Sequence, residues 1–215
     1  MNPLLRQVLP ALGLDEGYAA AHLDLLPGSA LPSVLPVNTL ACGSVAAAGL
    51  AGLALHDGRG QGGPGADDRV HVDPRQVSVA FRSDQVLTVD GVRENGFAPL
   101  SGFFPTHDGW VRTHANYPHH RERLLRALDL PGTAGRDETA AAIAERSAQD
   151  VEDAVTADHG IAVRVRRLGE WMAEDQAHAV ATHDVLAVRS VGDTGGMPVP
   201  ERPRVLDLTR VIAGP

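Results

Sequence analysis

The longest apolar run of the chain extends from Thr39 to Leu55 and is rich in alanine and glycine. It is shorter than the roughly 20 residues that span a bilayer, so it predicts a buried helix rather than a membrane segment. Asn38 or Thr39 can cap the first N–H groups of this helix, and Gly58 can end it after Asp57. Because the alanine and glycine side chains are small, another stretch of backbone can pack close to it.

The composition is that of an acidic globular protein. With 215 residues and 43% hydrophobic side chains, the chain can bury a core without disulfides. Its formal charge of −8 argues against a nucleic-acid-binding domain, which needs a basic surface. All 19 basic residues are arginines, and the lack of lysine excludes a P-loop lysine, a Schiff-base lysine and a lysine general base.

Two further features concern the cellular location. The single cysteine, Cys42, cannot form an internal disulfide. The N-terminal stretch lacks the charge pattern and the cleavage site of a signal peptide. We therefore expect a cytoplasmic protein that does not interact with membranes.

Residue patterns in the first half of the chain predict a mixture of helices and strands. Prolines in residues 1–36 permit one short helix around Leu4 to Leu12 and otherwise an extended segment. Alternation predicts a strand at Arg69 to Asp73, and an Asp-Pro pair then opens a helix from Pro74 to about Ser83. Gln85 to Asp90 predicts another strand, followed by a turn.

The second half is more helical. Apolar spacing and capping residues there predict a hairpin, four helices and further strands, and hence an α/β or α+β protein. The hairpin pairs Leu100–Phe104 with Trp110–His114; the helices are Pro118–Leu128, Asp137–Arg146, one opened by Ser147 and closed by Gly160, and Leu168–Glu174; the strands are Ile161–Val165, Asp184–Val191 and Arg204–Leu208.

Three groups of residues could carry chemistry, and each has an ordinary structural alternative. His114, His119 and His120 could bind a metal, but their spacing fits no zinc signature and favours hairpin and helix-cap roles. Cys42 lies in an apolar stretch that favours a buried, inert thiol. Arg164, Arg166 and Arg167 could contact a phosphate, although strand alternation places the first two on a solvent face.

The final segment, from Arg204 to Pro215, is RVLDLTRVIAGP. It is similar to the strand and turn that open the Rossmann-like domain of family III CoA-transferases, the group of formyl-CoA and carnitine CoA-transferases and racemases. In that family the turn contacts coenzyme A, so the resemblance implies that Ile212 and Ala213 belong to the CoA-binding part of the complete enzyme.

Earlier segments resemble the same family in its usual internal order. They cover most of residues 36–185 and precede the opening strand, which implies a permuted or truncated member. These segments are the helix at 39–57, the GRGQ turn at 58–61, VHVDPRQVSVAF at 70–81, GFFPTHDGWVRTH at 102–114 and the helix–strand–helix at 151–176.

The resemblance implies an α/β fold, with an α+β small domain and part of a Rossmann-like fold. It divides the chain into four parts. These are an N-terminal extension at 1–36, the family-like helices and small domain at 37–192, a linker at 193–203, and the first strand and turn of a truncated Rossmann-like domain at 204–215.

Enzymes of this family attack the acyl-CoA carbonyl with an Asp carboxylate and pass through a mixed anhydride and an aspartyl-CoA thioester. The resemblance places this catalytic position at Asn38, and the stretch from Ala30 to Leu55 contains no Asp or Glu. A carboxamide carries no charge and its nitrogen lone pair is delocalised, so it cannot replace the carboxylate. Asp73 and Asp108 are the alternative nucleophiles.

Three functional hypotheses follow. In the first, the chain is part of an enzyme that transfers CoA from an acyl-CoA to a carboxylic acid, or racemises an acyl-CoA. The chain would then be inactive without a Rossmann-like half from a downstream or partner chain. Coenzyme A would then be a substrate, no cofactor would be bound covalently, and the protein would form a homodimer. The second is a non-catalytic interaction or regulatory domain that retains the fold. The third is an active transferase that uses Asp73 or Asp108.

Overall fold

The structure is a computed structural model that describes residues 1–57, 67–93, 96–189, 191–192 and 204–209. The chain divides into two compact units, one formed by residues 1–83 with 184–215 and the other by residues 84–183. Three predicted features lie outside the described residues: the GRGQ turn at 58–61, the linker at 193–203, and the turn that contains Ile212 and Ala213.

The N-terminal residues form short helices and a strand where the sequence predicted a mainly extended segment. Polar side chains begin both α-helices, because Asn2 accepts a hydrogen bond from the N–H of Leu4 and Asp15 accepts one from the N–H of Tyr18. Leu5 is fully buried, so this region belongs to the core of the first unit. Its elements are α1 (Pro3–Val8), a 3₁₀ turn (Pro10–Leu12), α2 (Glu16–His22) and β1 (Leu23–Leu25).

The predicted apolar helix is α3 (Val37–Asp57), which has 21 residues. Its stretch Val37–His56 is long and apolar enough to cross a membrane, and about a third of that stretch is buried; the core helix of a globular protein can have the same length and composition. One side contributes Ala46 and Leu50 to the core, whereas Leu40 on another side is half exposed. The prediction of a buried helix is therefore correct for one side only.

Two parallel strands pack beside α3. β1 pairs with β2 (Val70–Val72), and Leu23 lies opposite Val70. α4 (Pro74–Phe81) follows β2 directly, as predicted. Gly49 of α3 lies so close to β2 that a Cβ atom there would be 2.5 Å from Cγ1 of Val70. The absence of a side chain at Gly49 thus lets the helix approach the strand pair.

The second unit is a three-stranded antiparallel sheet with helices that share its core. The strand order is β3 (Gly102–Pro105), β4 (Trp110–Thr113), β5 (Ala162–Arg164), and the predicted hairpin is confirmed. Phe104, Leu124 and Val151 are almost fully buried in this core. The helices that share this core are α6 (Pro118–Ala127), α7 (Arg136–Ala144) and α8 (Ala148–Ala157), and α9 (Leu168–Met172) and α10 (Asp175–Ala181) follow them in the same unit.

Three predicted strands differ from the structure. Gln85 to Asp90 is occupied by the short helix α5 (Ser83–Val86) and a tight turn, because Asp90 and Gly91 take positive φ angles of 52° and 78°. Only a single bridge between Val89 and Val92 remains of the expected strand. The described parts of Asp184–Val191 and Arg204–Leu208 belong to no helix or strand, since neither segment finds a strand partner there.

The arginines around β5 also differ from the prediction of a solvent face. The side chains of Arg164 and Arg166 are only 28% and 17% exposed. Arg166 turns towards α8, where both of its Nη atoms donate to the carboxylate of Glu152. The alternation rule fails here because β5 ends at Arg164, so Arg166 lies beyond the pleated strand.

Candidate functional site

A cavity of about 300 Å³ lies beyond the carboxyl ends of β1 and β2. The loop Leu26–Ala30, which follows β1, and the segment Asp73–Arg75, which follows β2, line this cavity. Ligands in parallel α/β sheets usually bind at this edge. We call this space the strand-end cavity. The sequence did not predict β1 or its loop, although the Pro27-Gly28 pair was a turn signal.

Asn38 fixes the loop of the strand-end cavity. Its Oδ1 accepts a hydrogen bond of 3.2 Å from the N–H of Ala30, and its Nδ2 donates a bond of 3.4 Å to the carbonyl of Gly28. α3 begins at Val37, so Asn38 lies inside the first turn and is not the helix cap that the sequence predicted. Ser78 of α4 adds a third bond to this loop by donating to the carbonyl of Ala30.

Asp73 is held tightly by Arg75. Its Oδ1 accepts the backbone N–H of Arg75 at 2.9 Å, which caps α4, and its Oδ2 accepts Nη2 of Arg75 at 2.8 Å. The hydrogen bonds from Arg75 hold the pKa of Asp73 below its usual value, so this carboxyl is ionised at neutral pH. Because its lone pairs are engaged, Asp73 is a weaker nucleophile than a free carboxylate.

Cys42 lies one helical turn after Asn38 on α3. It is buried, as predicted, with 2% of its surface exposed. Burial, together with the negative charge of Asp73, raises the pKa of the Cys42 thiol. A neutral thiol is a poor nucleophile, so Cys42 adds no reactive group to the strand-end cavity.

Asp108, the second alternative nucleophile, lies in the other unit and has a structural role in the hairpin. Its Oδ1 accepts the hydroxyl of Thr106 at 2.9 Å and the backbone N–H of Ala148 at 2.8 Å. The bond from Ala148, and then that from Thr106, lowers the pKa of Asp108. Asp108 thereby ties the β3–β4 turn to the start of α8.

The predicted histidine group does come together. The ring centroids of His119 and His120 are 4.1 Å apart, and those of His114 and His120 are 5.4 Å apart. Nδ1 of His120 is buried and has no hydrogen-bond partner among the described residues, and burial followed by the charges of His119 and His114 lowers the pKa of His120. Within the described ranges, no group of three or more His, Cys, Asp or Glu side chains could hold a metal ion.

Sequence comparison identifies the family. The sequence model of CoA-transferase family III matches residues 36–196, which is most of the chain. The chain belongs to CoA-transferase family III. The match begins just before α3 and continues through β5 and the helices after it, in agreement with the resemblance found in the sequence.

Solved structures support the α/β fold. Two crystal structures of the Rv3272 protein of Mycobacterium tuberculosis and one of its D175A variant match the chain with TM-scores of 0.57 and 18% sequence identity. Each covers 80% of this chain, which in turn covers 50%, 49% and 51% of those chains. The chain therefore spans about half the length of these structures. No curated protein sequence matches it.

Proposed function

We propose that the chain is the small domain and adjoining helices of a family III CoA-transferase, inactive unless a Rossmann-like half is supplied by another segment or chain. The complete enzyme would move CoA from an acyl-CoA to a carboxylic acid, or racemise an acyl-CoA, in the cytoplasm. Coenzyme A would be a substrate rather than a resident cofactor. The match to the family over residues 36–196 supports this assignment.

The proposal that the chain is inactive alone rests on the neutral, hydrogen-bonded carboxamide of Asn38. Acyl transfer in this family needs an ionised oxygen nucleophile, whereas Asn38 is neutral and both ends of its carboxamide bind the loop Gly28–Ala30. Asp73 is the sole carboxylate among the described residues that line the strand-end cavity, and its two oxygens accept hydrogen bonds from Arg75. Neither residue offers a free carboxylate for attack on a thioester.

The test is thioester exchange by the purified chain. The chain is incubated with isotopically labelled acyl-CoA and a free carboxylic acid, and transfer of CoA to the acid is followed by chromatography. We expect no exchange above the rate without protein, and weak or absent CoA binding in calorimetry. Turnover by the chain without a partner would contradict the proposal. Loss of such turnover in Asp73→Asn or Asp108→Asn would identify the nucleophile.

A non-catalytic interaction or regulatory domain is the second candidate. The carboxamide at Asn38 favours it, because a protein that no longer performs transfer needs no carboxylate there. The coding DNA beyond codon 215 separates the two candidates. A reading frame that continues into a second Rossmann strand, and whose longer product transfers CoA, supports the enzyme; a longer product without activity supports the interaction domain.

A further inference from the structure

A second, polar cavity of about 260 Å³ lies entirely within the unit of residues 84–183. It is enclosed by the β3–β4 turn, the start of α8, the end of β5 and the start of α9. We call it the arginine pocket. Its charged and aromatic lining residues are Asp108, Trp110, Arg164, Arg166, Arg167 and Glu170.

Arg166 lines the arginine pocket and is held in place by hydrogen bonds to two glutamates. Its Nη1 and Nη2 atoms donate to the two carboxylate oxygens of Glu152 at 2.9 and 2.8 Å, and its Nε donates to Glu174 at 2.7 Å. These bonds raise the pKa of Arg166 and lower that of Glu152, so both groups are charged at neutral pH. The donors of Arg166 are committed to protein acceptors.

Arg164 contrasts with its neighbour. Its side chain is 28% exposed, yet within the described part of the chain its guanidinium donates no hydrogen bond. A carboxylate oxygen of Glu170 is 3.7 Å from Nη2, and Nε is buried and has no partner among the residues that the structure describes. Buried charged donors are costly unless an acceptor meets them, so the site lacks an acceptor for Arg164.

Arg167 and Trp110 complete the opening of the arginine pocket. Across the described residues, the exposed guanidinium of Arg167 has no hydrogen bond or ion pair, whereas its backbone N–H binds Glu170 at 2.7 Å. Trp110 is 51% exposed and presents an aromatic ring at the same cavity. Because the donors of Arg166 are committed to protein acceptors, the donors left for a ligand are those of Arg164 and Arg167. The lining carboxylates of Asp108 and Glu170 each accept a backbone N–H already.

We propose that the arginine pocket binds a ligand with a carboxylate or phosphate group, whose oxygens accept hydrogen bonds from Arg164 and Arg167. Planar guanidinium groups match the geometry of both oxyanions, and such charge-assisted bonds are roughly twice as strong as neutral ones. The indole of Trp110 would pack against the flat or apolar part of the ligand. This site is separate in sequence from Asn38 and the strand-end cavity, and it does not depend on CoA transfer.

The experiment uses the two tryptophans of the intact chain as reporters. Trp110 lines the arginine pocket and Trp171 does not, so their indole N–H resonances serve as probe and internal control. The resonances are assigned with Trp110→Phe and Trp171→Phe. Sodium phosphate and sodium benzoate are titrated separately against sodium chloride at the same ionic strength. We expect a saturable shift of the Trp110 resonance with at least one probe, and none for Trp171.

The two probes distinguish the ligand classes. Saturation with phosphate alone assigns a phosphate site, and saturation with benzoate alone assigns a carboxylate site. Arg164→Met and Arg167→Ala should each weaken binding about tenfold, because each removes a charge-assisted bond. Arg126→Met removes a guanidinium that pairs with Asp158 outside the pocket, and it should leave binding unchanged.

Two results would overturn the proposal. One is a Trp110 resonance that shifts with neither probe. The other is equal weakening by Arg126→Met and Arg167→Ala, which would indicate only a general effect of charge. Arg167→Ala keeps the test valid if Arg164→Met disturbs β5, because the Arg167 side chain is exposed and has no hydrogen bond or ion pair among the described residues.

Discussion

Asn38 connects the first turn of α3 to the loop of the strand-end cavity. The carboxamide bridges Ala30 and Gly28, and an aspartate at the same position would keep only the first of these bonds. Such an aspartate would also lie in the first turn of α3, where a negative charge interacts favourably with the helix dipole.

Two substitutions of Asn38 test its contacts with the loop, and they should have different effects on stability. Asn38→Ala should lower the free energy of unfolding by about 1 kcal/mol, because both loop bonds are lost. Asn38→Asp should change it by less than about 0.5 kcal/mol, because the dipole gain offsets the lost bond to Gly28. Urea denaturation followed by circular dichroism measures both. Equal destabilisation by the two variants would show that the carboxamide nitrogen, not the oxygen, holds the loop.

Glu152 should make stability depend on pH in the acid range. Its pKa in the folded protein is lowered by the hydrogen bond from Arg166, so the unfolded chain binds the proton more readily. The stabilisation is therefore fully present above the unfolded pKa of about 4.3 and is lost as pH falls through the lower folded pKa. Thermal midpoints measured from pH 7 to pH 3 should fall less steeply in Glu152→Gln.

Glu145→Gln is the matched control for this pH experiment. Glu145 is exposed at the end of α7, and its substitution changes the net charge by the same amount. Its midpoint should follow the unsubstituted chain at every pH. If Glu145→Gln reduces the fall of the thermal midpoint at acid pH as much as Glu152→Gln does, the pH dependence comes from net charge and not from the pair with Arg166.

At the scale of elements, Gly49 and Gly52 of α3 have opposite surroundings. A Cβ at Gly49 would be 2.5 Å from Val70, whereas a Cβ at Gly52 would meet no described residue within 4 Å. Gly52→Ala should therefore stabilise the chain by up to about 1 kcal/mol through helix propensity. Gly49→Ala should destabilise it by about 1 kcal/mol, because overpacking against β2 exceeds the same gain.

The cause of the Gly49 effect can be isolated with a double variant. In a Val70→Ala background the atom that meets the new Cβ is removed, so Gly49→Ala should become stabilising. The urea midpoints of the unsubstituted chain, the two single variants and the double variant give the coupling free energy between Gly49 and Val70. If Gly49→Ala destabilises equally with and without Val70, the contact between α3 and β2 is not the reason.

Elements defined by local signals were predictable from the sequence. Asp73 before Pro74 began α4, Ser147 capped α8 by accepting the N–H of Asp150, and the β3–β4 hairpin formed as expected. The strand β1 was missed because its partner Val70 is 47 residues from Leu23, and no local pattern encodes such a pairing. Strand-like segments without a partner, such as Asp184–Val191, were predicted wrongly for the same reason.

The candidate site was predictable in part. The catalytic role that the resemblance implies for Asn38 stays a prediction, and the structure shows a loop contact of Asn38 that the sequence could not reveal. Ser78 and the loop Gly28–Ala30 were missed because they reach Asn38 through the fold and not through neighbouring positions. Arg164 was placed on a solvent face because alternation describes a strand but not the helices packed beside it.

At the scale of the whole molecule, each unit has a hydrophobic core of its own. The core of residues 84–183 includes Phe104, Val111, Leu125, Ile143 and Val155. A segment of residues 84–183 expressed alone should therefore fold and unfold cooperatively on heating. Circular dichroism and the dispersion of amide resonances test this. A segment without a thermal transition would show that its core needs the remaining chain.

The parallel pair of β1 and β2 has a consequence for how this chain meets other polypeptides. Each strand has three residues, and the described residues supply no third strand to either side. Parallel strands normally lie inside larger sheets, and an edge strand presents backbone N–H and C=O groups that can pair with another strand. A strand supplied by the rest of a longer protein or by another chain would therefore pair through its backbone, in the register that β1 or β2 sets.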